Sequence, residues 1–335
     1  MIIPATFTAA ILCSILSMIC WGSWANTLKL SGKWRFELFY YDFAFGVLFT
    51  AIVAATTLGS MGDELSVYDN LLITGKMKLL EGATGGVVFN LANMLLVGAI
   101  AIAGMAVAFP IAIGLALVIG VIWSYILNPQ ANPALLFGGV ALVLGAIAVS
   151  AMAYSKYERA RRSSVRRTGV KGIVISLVSG LLMGSFYPLV EISKRGDNGL
   201  GPYTVACVFA LGIFLSTFFY NLYFLNLPVD GPPIGMFEYF GGTWKQHLLG
   251  VAGGSIWCAG AVANFVAASA PRTVQVGPAV SYAIGQGATL VSALWGLLVW
   301  KEFAGAKPEV RRLVALMLAL FLAGLILVSM APLYA

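Results

Sequence analysis

Amide side chains inside long apolar stretches are the first candidates for chemistry in this sequence. Asn90 and Asn93 are three residues apart, which places both on one face of a helix. An amide offers donors and acceptors together, as the recognition of a neutral polar solute requires. The alternative is hydrogen bonding between helices, which is worth on average about 0.6 kcal/mol in a membrane. Both interpretations are open at this point.

A second candidate binding segment is VGPAVSYAIGQG (276–287). Tyr282 and Gln286 are four residues apart and share a helical face, while Gly285 and Gly287 allow close backbone approach or unwinding. A proline or glycine interruption inside an apolar helix is a pointer to a substrate site, although proline is also common at ordinary helix starts. We therefore expect Tyr282 and Gln286 to contact solute.

Three further residues extend the predicted substrate site. Asn264 and Tyr187 lie in apolar stretches, nearer the outer ends of these stretches. Trp24 offers an aromatic face on which a flat ring or a sugar could stack. The alternative for Trp24 is an anchor at the membrane interface.

Few carboxylates enter the apolar stretches, and these are the candidates for proton coupling. Asp42 is the first choice, Glu191 the second, and Glu37 a third. A carboxyl group in a low-dielectric cavity can load and release protons near the working pH. Glu37 is expected to pair at the interface with Arg35 or Lys33.

The sequence offers no catalytic set, no metal site and no cofactor motif. The single histidine, His247, is placed at a membrane edge and is predicted to be inessential. Without a nucleophile and base or a metal cluster, an intramembrane enzyme is excluded. The four cysteines lack metal-ligand spacing and are interpreted as small buried hydrophobes: Cys13, Cys20, Cys207 and Cys258.

Membrane-spanning helices must position these residues. Of the 335 residues, 60% are hydrophobic and 10% are charged, whereas soluble domains are about 45–50% apolar and about 25% charged. The long apolar blocks exclude the alternating pattern of a transmembrane β-barrel. The net charge of +7 lies mostly in short loops, so we expect contact with membrane lipids and not with nucleic acid.

A span of about 20 apolar residues crosses a bilayer, and ten such spans are predicted. With the N-terminus outside, 15 of the 20 basic residues fall in inner loops and five in outer loops. This bias predicts both termini outside and a basic cytoplasmic loop over 155–171. The spans are 5–27, 38–59, 82–103, 107–127, 134–154, 172–192, 202–226, 247–268, 274–300 and 310–331.

The two halves of the chain resemble each other in sequence. The matched segments are 21–24 with 183–186, 85–89 with 253–257, Pro110 with Pro278, and 145–150 with 324–329. Five spans per half invert the second copy relative to the first, as in secondary transporters. We therefore predict two inverted five-helix repeats, 1–154 and 172–335, although chance matching among glycine-rich helices is the alternative.

The ten spans and the segment CWGSWANTLKLSGKWRFELFYYDFAFGV (20–47) resemble the drug/metabolite transporter superfamily, and within it the ureide permease family. This family is similar to the glucose/ribose and rhamnose porter branches. The resemblance implies proton-coupled uptake of ureides, nucleobase-like heterocycles or sugars. Plant ureide permeases carry a Walker-A-like segment in a long central loop, and residues 155–171 contain none.

The sequence thus predicts an all-α membrane carrier that takes up a small neutral polar solute with protons by alternating access. It would be a monomer or a homodimer in the cell membrane. A multidrug exporter of the same superfamily is the alternative, and it would favour an apolar aromatic cavity with an acidic residue. A membrane scaffold without transport activity is disfavoured, because polar residues lie within the spans.

Overall fold

The computed structural model describes residues 1–62, 64–103, 105–129, 131–161, 170–228, 232–274, 276–301 and 304–334. These described residues form helices and include no strand, which confirms the all-α class. The helices are α1 (Phe7–Ser23), α2 (Ala25–Leu30), α3 (Phe36–Thr56), α4 (Val67–Ile73), α5 (Lys76–Ala103), α6 (Met105–Leu127), α7 (Pro133–Arg161), α8 (Val170–Ser193), α9 (Pro202–Asn226), α10 (Trp244–Ala268), α11 (Pro278–Gln286), α12 (Ala288–Leu294) and α13 (Pro308–Met330).

Nine helical stretches within these described ranges are long and apolar enough to cross a membrane. The first of them joins α1 to α2, and the eighth runs from α11 through α12 into a π-helical turn, Trp295–Val299. A tenth apolar stretch, Ile111–Leu127 within α6, is shorter. The chain is therefore an integral membrane protein, and the count of ten spans stays a prediction.

Helix starts follow local chemistry. Thr243 caps α10 through a reciprocal arrangement in which its side chain accepts from the Gln246 backbone and the Gln246 side chain accepts from the Thr243 backbone. Proline occupies the first turn of α9, α11 and α13, where its missing N–H is not needed. These signals fix where the helices nearest the candidate residues begin.

Two spans are interrupted. The first predicted span breaks at Trp24, between α1 and α2, and the ninth predicted span, which is the eighth of the helical stretches above, breaks at Gly287, between α11 and α12. The second break confirms that the glycine-rich segment 285–287 interrupts its helix. Pro188 lies inside α8 without ending it. Broken spans place backbone polar groups where a cavity or a neighbouring chain segment can satisfy them.

Each end of the helical bundle is identified by its contacts. At one end, the Trp300 indole donates to Asn26 Oδ1 at 2.7 Å, and Lys29 Nζ lies 4.3 Å from the centroid of the Trp300 ring. Gln246 also reaches the Ser31 carbonyl oxygen there, at 3.4 Å. We call this the basic end, because Lys156 of α7 also lies there, 3.3 Å from Glu309 in the first turn of α13.

Both chain termini lie at the opposite end. The Met1 amino group donates to the Glu64 carbonyl oxygen at 3.0 Å, and Tyr203 Oη donates to the Ile2 carbonyl oxygen at 3.0 Å. The Asn132 side chain donates to the Tyr334 carbonyl oxygen at 3.2 Å. Residues Met1 and Tyr334 therefore share one end of the bundle.

Helix pairings in one half of the chain have counterparts in the other. The packing of α5 on α8 is mirrored by that of α10 on α1, and α5 on α9 is mirrored by α10 on α3. Likewise α6 packs on α8 as α12 packs on α1. The pairs α3 with α9 and α7 with α13 map onto themselves when the halves are exchanged.

Glycine crossings repeat this symmetry at atomic detail. A Cβ atom on Gly86 would collide with the carbonyl oxygen of Phe209. A Cβ atom on Gly254, the matched residue of the second half, would collide with that of Phe43. Position 86 corresponds to 254 by adding 168, and 43 corresponds to 209 by adding 166. The sequence match of 85–89 with 253–257 therefore coincides with a structural correspondence.

Close packing favours another register for two of the sequence matches. Gly139, not Gly145, approaches Gly324: a Cβ on Gly139 would lie 2.7 Å from the Gly324 carbonyl oxygen, and the reverse distance is 2.8 Å. Gly22 in α1 approaches the carbonyl oxygen of Ala288, and Gly184 in α8 approaches the carbonyl oxygen of Ala116 in α6. If these two contacts correspond, residue 116 matches residue 288, which is a difference of 172 positions. The sequence match of Pro110 with Pro278 corresponds to a difference of 168 positions instead.

That proline match pairs Pro110 with Pro278. The side chain of Pro110 lies outside the described residues, whereas Pro278 begins α11. Repeated small apolar residues give several registers of nearly equal sequence quality, and only close packing selects one of them.

Candidate functional site

Aromatic rings fill the space between the two halves. Trp257 in α10 stacks on Phe89 in α5, with ring centroids 4.3 Å apart and planes 30° apart. Trp21, Phe43 and Phe209 surround Trp257 at centroid distances of 6.0, 6.4 and 6.1 Å. We call these five residues the aromatic cluster. Phe89 and Trp257 occupy matched positions in the two halves, so the cluster centres on the junction between them.

The two amides of α5 face different neighbours. Asn90 is fully buried, and its amide nitrogen donates to Ser216 Oγ at 2.8 Å and to Thr217 Oγ1 at 3.1 Å in α9. Asn93 donates to Tyr40 Oη in α3 at 3.1 Å. Their amide nitrogens therefore bond neighbouring helices, as the alternative interpretation expected. The Asn90 Oδ1 atom has no partner among the described residues.

Three of the predicted residues are brought together where α8, α10 and α11 meet. Tyr187 and Tyr282 have ring centroids 4.6 Å apart, and both are fully buried. Asn264 Nδ2 donates to Ser17 Oγ at 3.1 Å and to the Ser281 carbonyl oxygen at 2.9 Å. Residues distant in sequence thus form one polar region beside the aromatic cluster, and we call it the polar junction.

Several polar atoms at the polar junction lack protein partners. Within the described residues, Trp21 Nε1 and Asn264 Oδ1 are buried without a hydrogen bond. The Tyr187 hydroxyl is directed toward Ser281 but makes no hydrogen bond of normal geometry. A Cβ on Gly285 would lie 2.8 Å from both the Asn264 amide nitrogen and the Trp21 ring, so these two side chains are neighbours.

Such atoms are costly to leave unpaired, because each loses its water without gaining a partner. An unpartnered donor on the Trp21 indole and an unpartnered acceptor on the neighbouring Asn264 side chain suit a ligand that carries both a carbonyl group and an N–H. Trp21 is not among the substrate residues predicted from the sequence. Its signal was its place in the matched segment 21–24.

Trp24 and Gln286 lie at the two helix breaks. The Trp24 ring packs on Phe43 with centroids 5.0 Å apart, which brings it to the edge of the aromatic cluster. Gln286 is buried at the end of α11, and its carbonyl oxygen accepts from Thr289 Oγ1 at 3.2 Å. Both breaks therefore adjoin the region between the halves.

Asp42 is buried near the basic end and has a partner on each oxygen. Tyr239 Oη donates to Oδ1 at 2.5 Å, and His247 Nδ1 lies 2.8 Å from Oδ2. Tyr239 belongs to a 3-10 turn, Met236–Gly241, outside the spans. Burial and the hydrogen bond to Asp42 raise the pKa of the Tyr239 phenol, so this hydroxyl keeps its proton and remains a donor.

The other two carboxylates are in ion pairs. Glu37 accepts from Arg35 at 2.7 and 3.0 Å, which confirms Arg35 as its partner at the interface. Glu191 accepts from Lys194 Nζ at 2.8 Å, and both side chains are largely buried. Glu191 lies near the end that carries the termini. The structure therefore separates Glu191 from Asp42 and assembles no single carboxylate site.

His247 is the residue whose surroundings differ most from the sequence interpretation. It does lie in the first turns of α10, but it is bonded to Asp42 and packs edge-on against Tyr239 and Trp34. Asp42 and His247 are 205 positions apart. The only signal in the sequence was that the chain has one histidine and few buried carboxylates.

The chain is similar to known permeases. A family model described as ureide permease matches residues 39–171. Ureide permease 1 of Arabidopsis thaliana is 22% identical over 382 residues, which cover 93% of this chain and 94% of the relative. Ureide permease 4 of the same plant is 25% identical over 394 residues, which cover 94% of each. These matches confirm the resemblance stated from residues 20–47.

A solved crystal structure shares the fold. It superposes with a TM-score of 0.64 at 18% identity and covers 96% of both chains. At that identity the likeness concerns the fold alone. Together with the permease relatives, the apolar helices indicate a membrane transporter and not an enzyme.

Proposed function

This chain resembles the ureide permeases along 93% of its length, and from that premise we propose that it takes up a small, neutral, polar solute with protons by alternating access. The solute class is a ureide or a nucleobase-like heterocycle, with sugars as the neighbouring possibility. The observation that carries the proposal is the pair of unpartnered atoms at the polar junction, Trp21 Nε1 and Asn264 Oδ1.

A ureide matches this chemistry in two respects. Its N–H and carbonyl groups are complementary to an amide oxygen and an indole N–H, and hydrogen bonds made away from water discriminate strongly against analogues that lack them. Its flat ring suits stacking on an aromatic face. Substrate contacts are proposed for Trp24, Asn90, Asn93, Tyr187, Asn264, Tyr282 and Gln286, with Trp21 added from its geometry.

Alternating access is proposed to move two inverted five-helix repeats, 1–154 and 172–335, about the aromatic cluster. The mirrored helix pairings and the matched glycine crossings support this. In the described conformation the rings of the cluster pack between the halves, with the Phe89 and Trp257 centroids 4.3 Å apart. The loop over 155–171 is proposed to lie in the cytoplasm and both termini outside the cell membrane.

Asp42 is the proposed proton-coupling residue, with Glu191 second and Glu37 third. Asp42 is the one of these three whose carboxylate is not in an ion pair with Lys or Arg in the described structure. A carboxyl group with only a phenol and an imidazole as partners can change its protonation without leaving a strong cation unpaired.

Thermal stability of the purified protein tests the solute class. We expect allantoin or uracil to raise the melting temperature, ribose and glucose to raise it less, and tetraphenylphosphonium to have no effect. Ligand that binds only the folded state at a hundred times its Kd stabilises by about 2.7 kcal/mol. No shift with any polar solute would contradict the proposal.

A multidrug exporter is the second candidate, and the aromatic cluster favours it. Four aromatic residues around Trp257, with a carboxylate elsewhere in the spans, suit a lipophilic cation. In the same experiment, stabilisation by tetraphenylphosphonium without any effect of allantoin or uracil would favour the exporter.

A further inference from the structure

The partners of Asp42 differ in their access to water. The Tyr239 hydroxyl stays protonated and donates a hydrogen bond to Asp42 Oδ1, so this contact does not change during proton transfer. His247 bonds Oδ2 through Nδ1, while its side chain is 23% exposed against 6% for Asp42. The imidazole thus stands between a buried carboxylate and the surface at the basic end.

The second ring nitrogen of His247 faces the loop before α10. A Cβ on Gly242 would lie 2.5 Å from His247 Nε2, and would also approach the Trp34 ring at 2.8 Å. Because residue 242 has no side chain, none from that position covers Nε2. The ring therefore presents Nδ1 to the buried carboxylate and Nε2 to Gly242, while 23% of the side chain as a whole is exposed.

We propose that His247 relays protons between Asp42 and the water at the basic end, an inference that rests on the proposed proton-coupled transport. Imidazole is suited to this role because its two nitrogens can bind and release a proton on opposite edges of one ring.

In the releasing direction, protonated Asp42 gives the proton on Oδ2 to His247 Nδ1. The imidazolium formed then loses its Nε2 proton to water. One proton has left the carboxyl group, Asp42 is a carboxylate, and the neutral ring carries its proton on Nδ1. That tautomer donates to Asp42 across the observed 2.8 Å distance. In the loading direction water protonates Nε2, Nδ1 gives its proton to the Asp42 carboxylate, and the ring returns to the tautomer that carries its proton on Nε2.

Apart from Tyr239, the neighbouring groups described below show no hydrogen bond to Asp42 within the described residues, so His247 is the proposed path for its proton. Arg35 is paired with Glu37 at the start of α3, and Tyr41 packs edge-on against Tyr239. Glu238 and Lys245 are exposed. The titratable or charged groups nearest the pair at the start of α3, in the 3-10 turn and in the first turn of α10 are Arg35, Glu37, Tyr41, Glu238, Tyr239 and Lys245, and further from the pair α2 carries Lys29.

The test compares His247→Asn with Lys245→Gln in proteoliposomes, using radiolabelled allantoin. The asparagine amide can still donate to Asp42 near the position of Nδ1, but it cannot relay a proton. We expect His247→Asn to lower the initial rate of pH-driven accumulation at least about tenfold, as loss of a proton-transfer group typically does. Exchange of internal for external allantoin without a pH gradient should stay near the wild-type rate.

Lys245→Gln changes an exposed neighbour in the same helical turn and should leave both rates unchanged. His247→Gln, whose amide extends toward the position of Nε2, should show the same loss of accumulation as His247→Asn. Wild-type accumulation by His247→Asn would overturn the relay. Failure of the wild-type protein to transport allantoin in either mode would instead overturn the proposed function.

Discussion

Each oxygen of Asp42 accepts or shares one hydrogen bond, and the partners come from parts of the chain about two hundred residues away. A substitution that keeps the shape of the Asp42 side chain but cannot bind a proton therefore tests its role in proton coupling. Asp42→Asn should abolish concentrative uptake and spare solute exchange, because an amide cannot cycle between charge states. Uptake and exchange by the same proteoliposomes measure both, and proton-driven accumulation by the variant would contradict the coupling assignment.

The indole of Trp21 permits a test of recognition at the polar junction. Trp21→Phe removes the unpartnered N–H but keeps an aromatic ring, so allantoin should bind about threefold to tenfold more weakly, in line with one lost hydrogen bond. Calorimetric titration of the purified protein measures the affinity. Trp295→Phe is the control, since its indole donates to Ser23 at 2.9 Å near the basic end. Equal affinities for wild type and Trp21→Phe would exclude this contact.

For single residues, the sequence predicts contacts between near neighbours in the chain and residue types that are rare inside the spans. The Glu37–Arg35 pair is two residues apart, and Asp42 stands out because few carboxylates enter a span. The bond from His247 to Asp42 requires α3 and α10 to pack in one register. Nothing in a single sequence specifies that register, so the histidine was assigned to the membrane edge alone.

Helix crossings are the next scale, and their tightest points are glycines. Gly254→Ala places a methyl group against the backbone of Phe43, and overpacking of this kind costs about 1–3 kcal/mol. The melting temperature should therefore fall. Gly86→Ala should behave alike, because its crossing with Phe209 is the counterpart in the other half.

Gly138→Ala is the matched control for these crossings. A Cβ at this helical position meets no atom within 4 Å, so the substitution should be neutral or stabilise by up to about 1 kcal/mol through helix propensity. Thermal unfolding followed by intrinsic fluorescence measures all three variants. Equal melting temperatures for Gly254→Ala and Gly138→Ala would show that the crossing at Gly254 is not tight.

Helix positions followed from apolar length, since a bilayer leaves the backbone little choice but to bond within a helix. The break at Gly287 also followed from its glycines. The register of α7 against α13 did not, because Gly139 and Gly145 are six residues apart in a stretch rich in small residues. The register between two such helices depends on how their side chains fit together, which amino-acid composition alone does not reveal.

The whole molecule makes one prediction about orientation. With both termini outside, a cysteine at Tyr68 should react with a membrane-impermeant maleimide in intact cells, whereas a cysteine at Lys156 should react only after the membrane is opened. Tyr68 is 69% exposed, and the Lys156 side chain is 51% exposed. The four native cysteines are replaced first. The reverse labelling pattern would invert the proposed topology.

Trp300 ties the first span to the ninth at the basic end, through Asn26 and Lys29. Any movement that opens this end between those spans must break both contacts and expose the indole to water. The fluorescence of Trp300 can therefore report on this movement during transport. A red shift of tryptophan emission during transport, absent in Trp300→Phe, would report the separation of these two spans at the basic end without any added label.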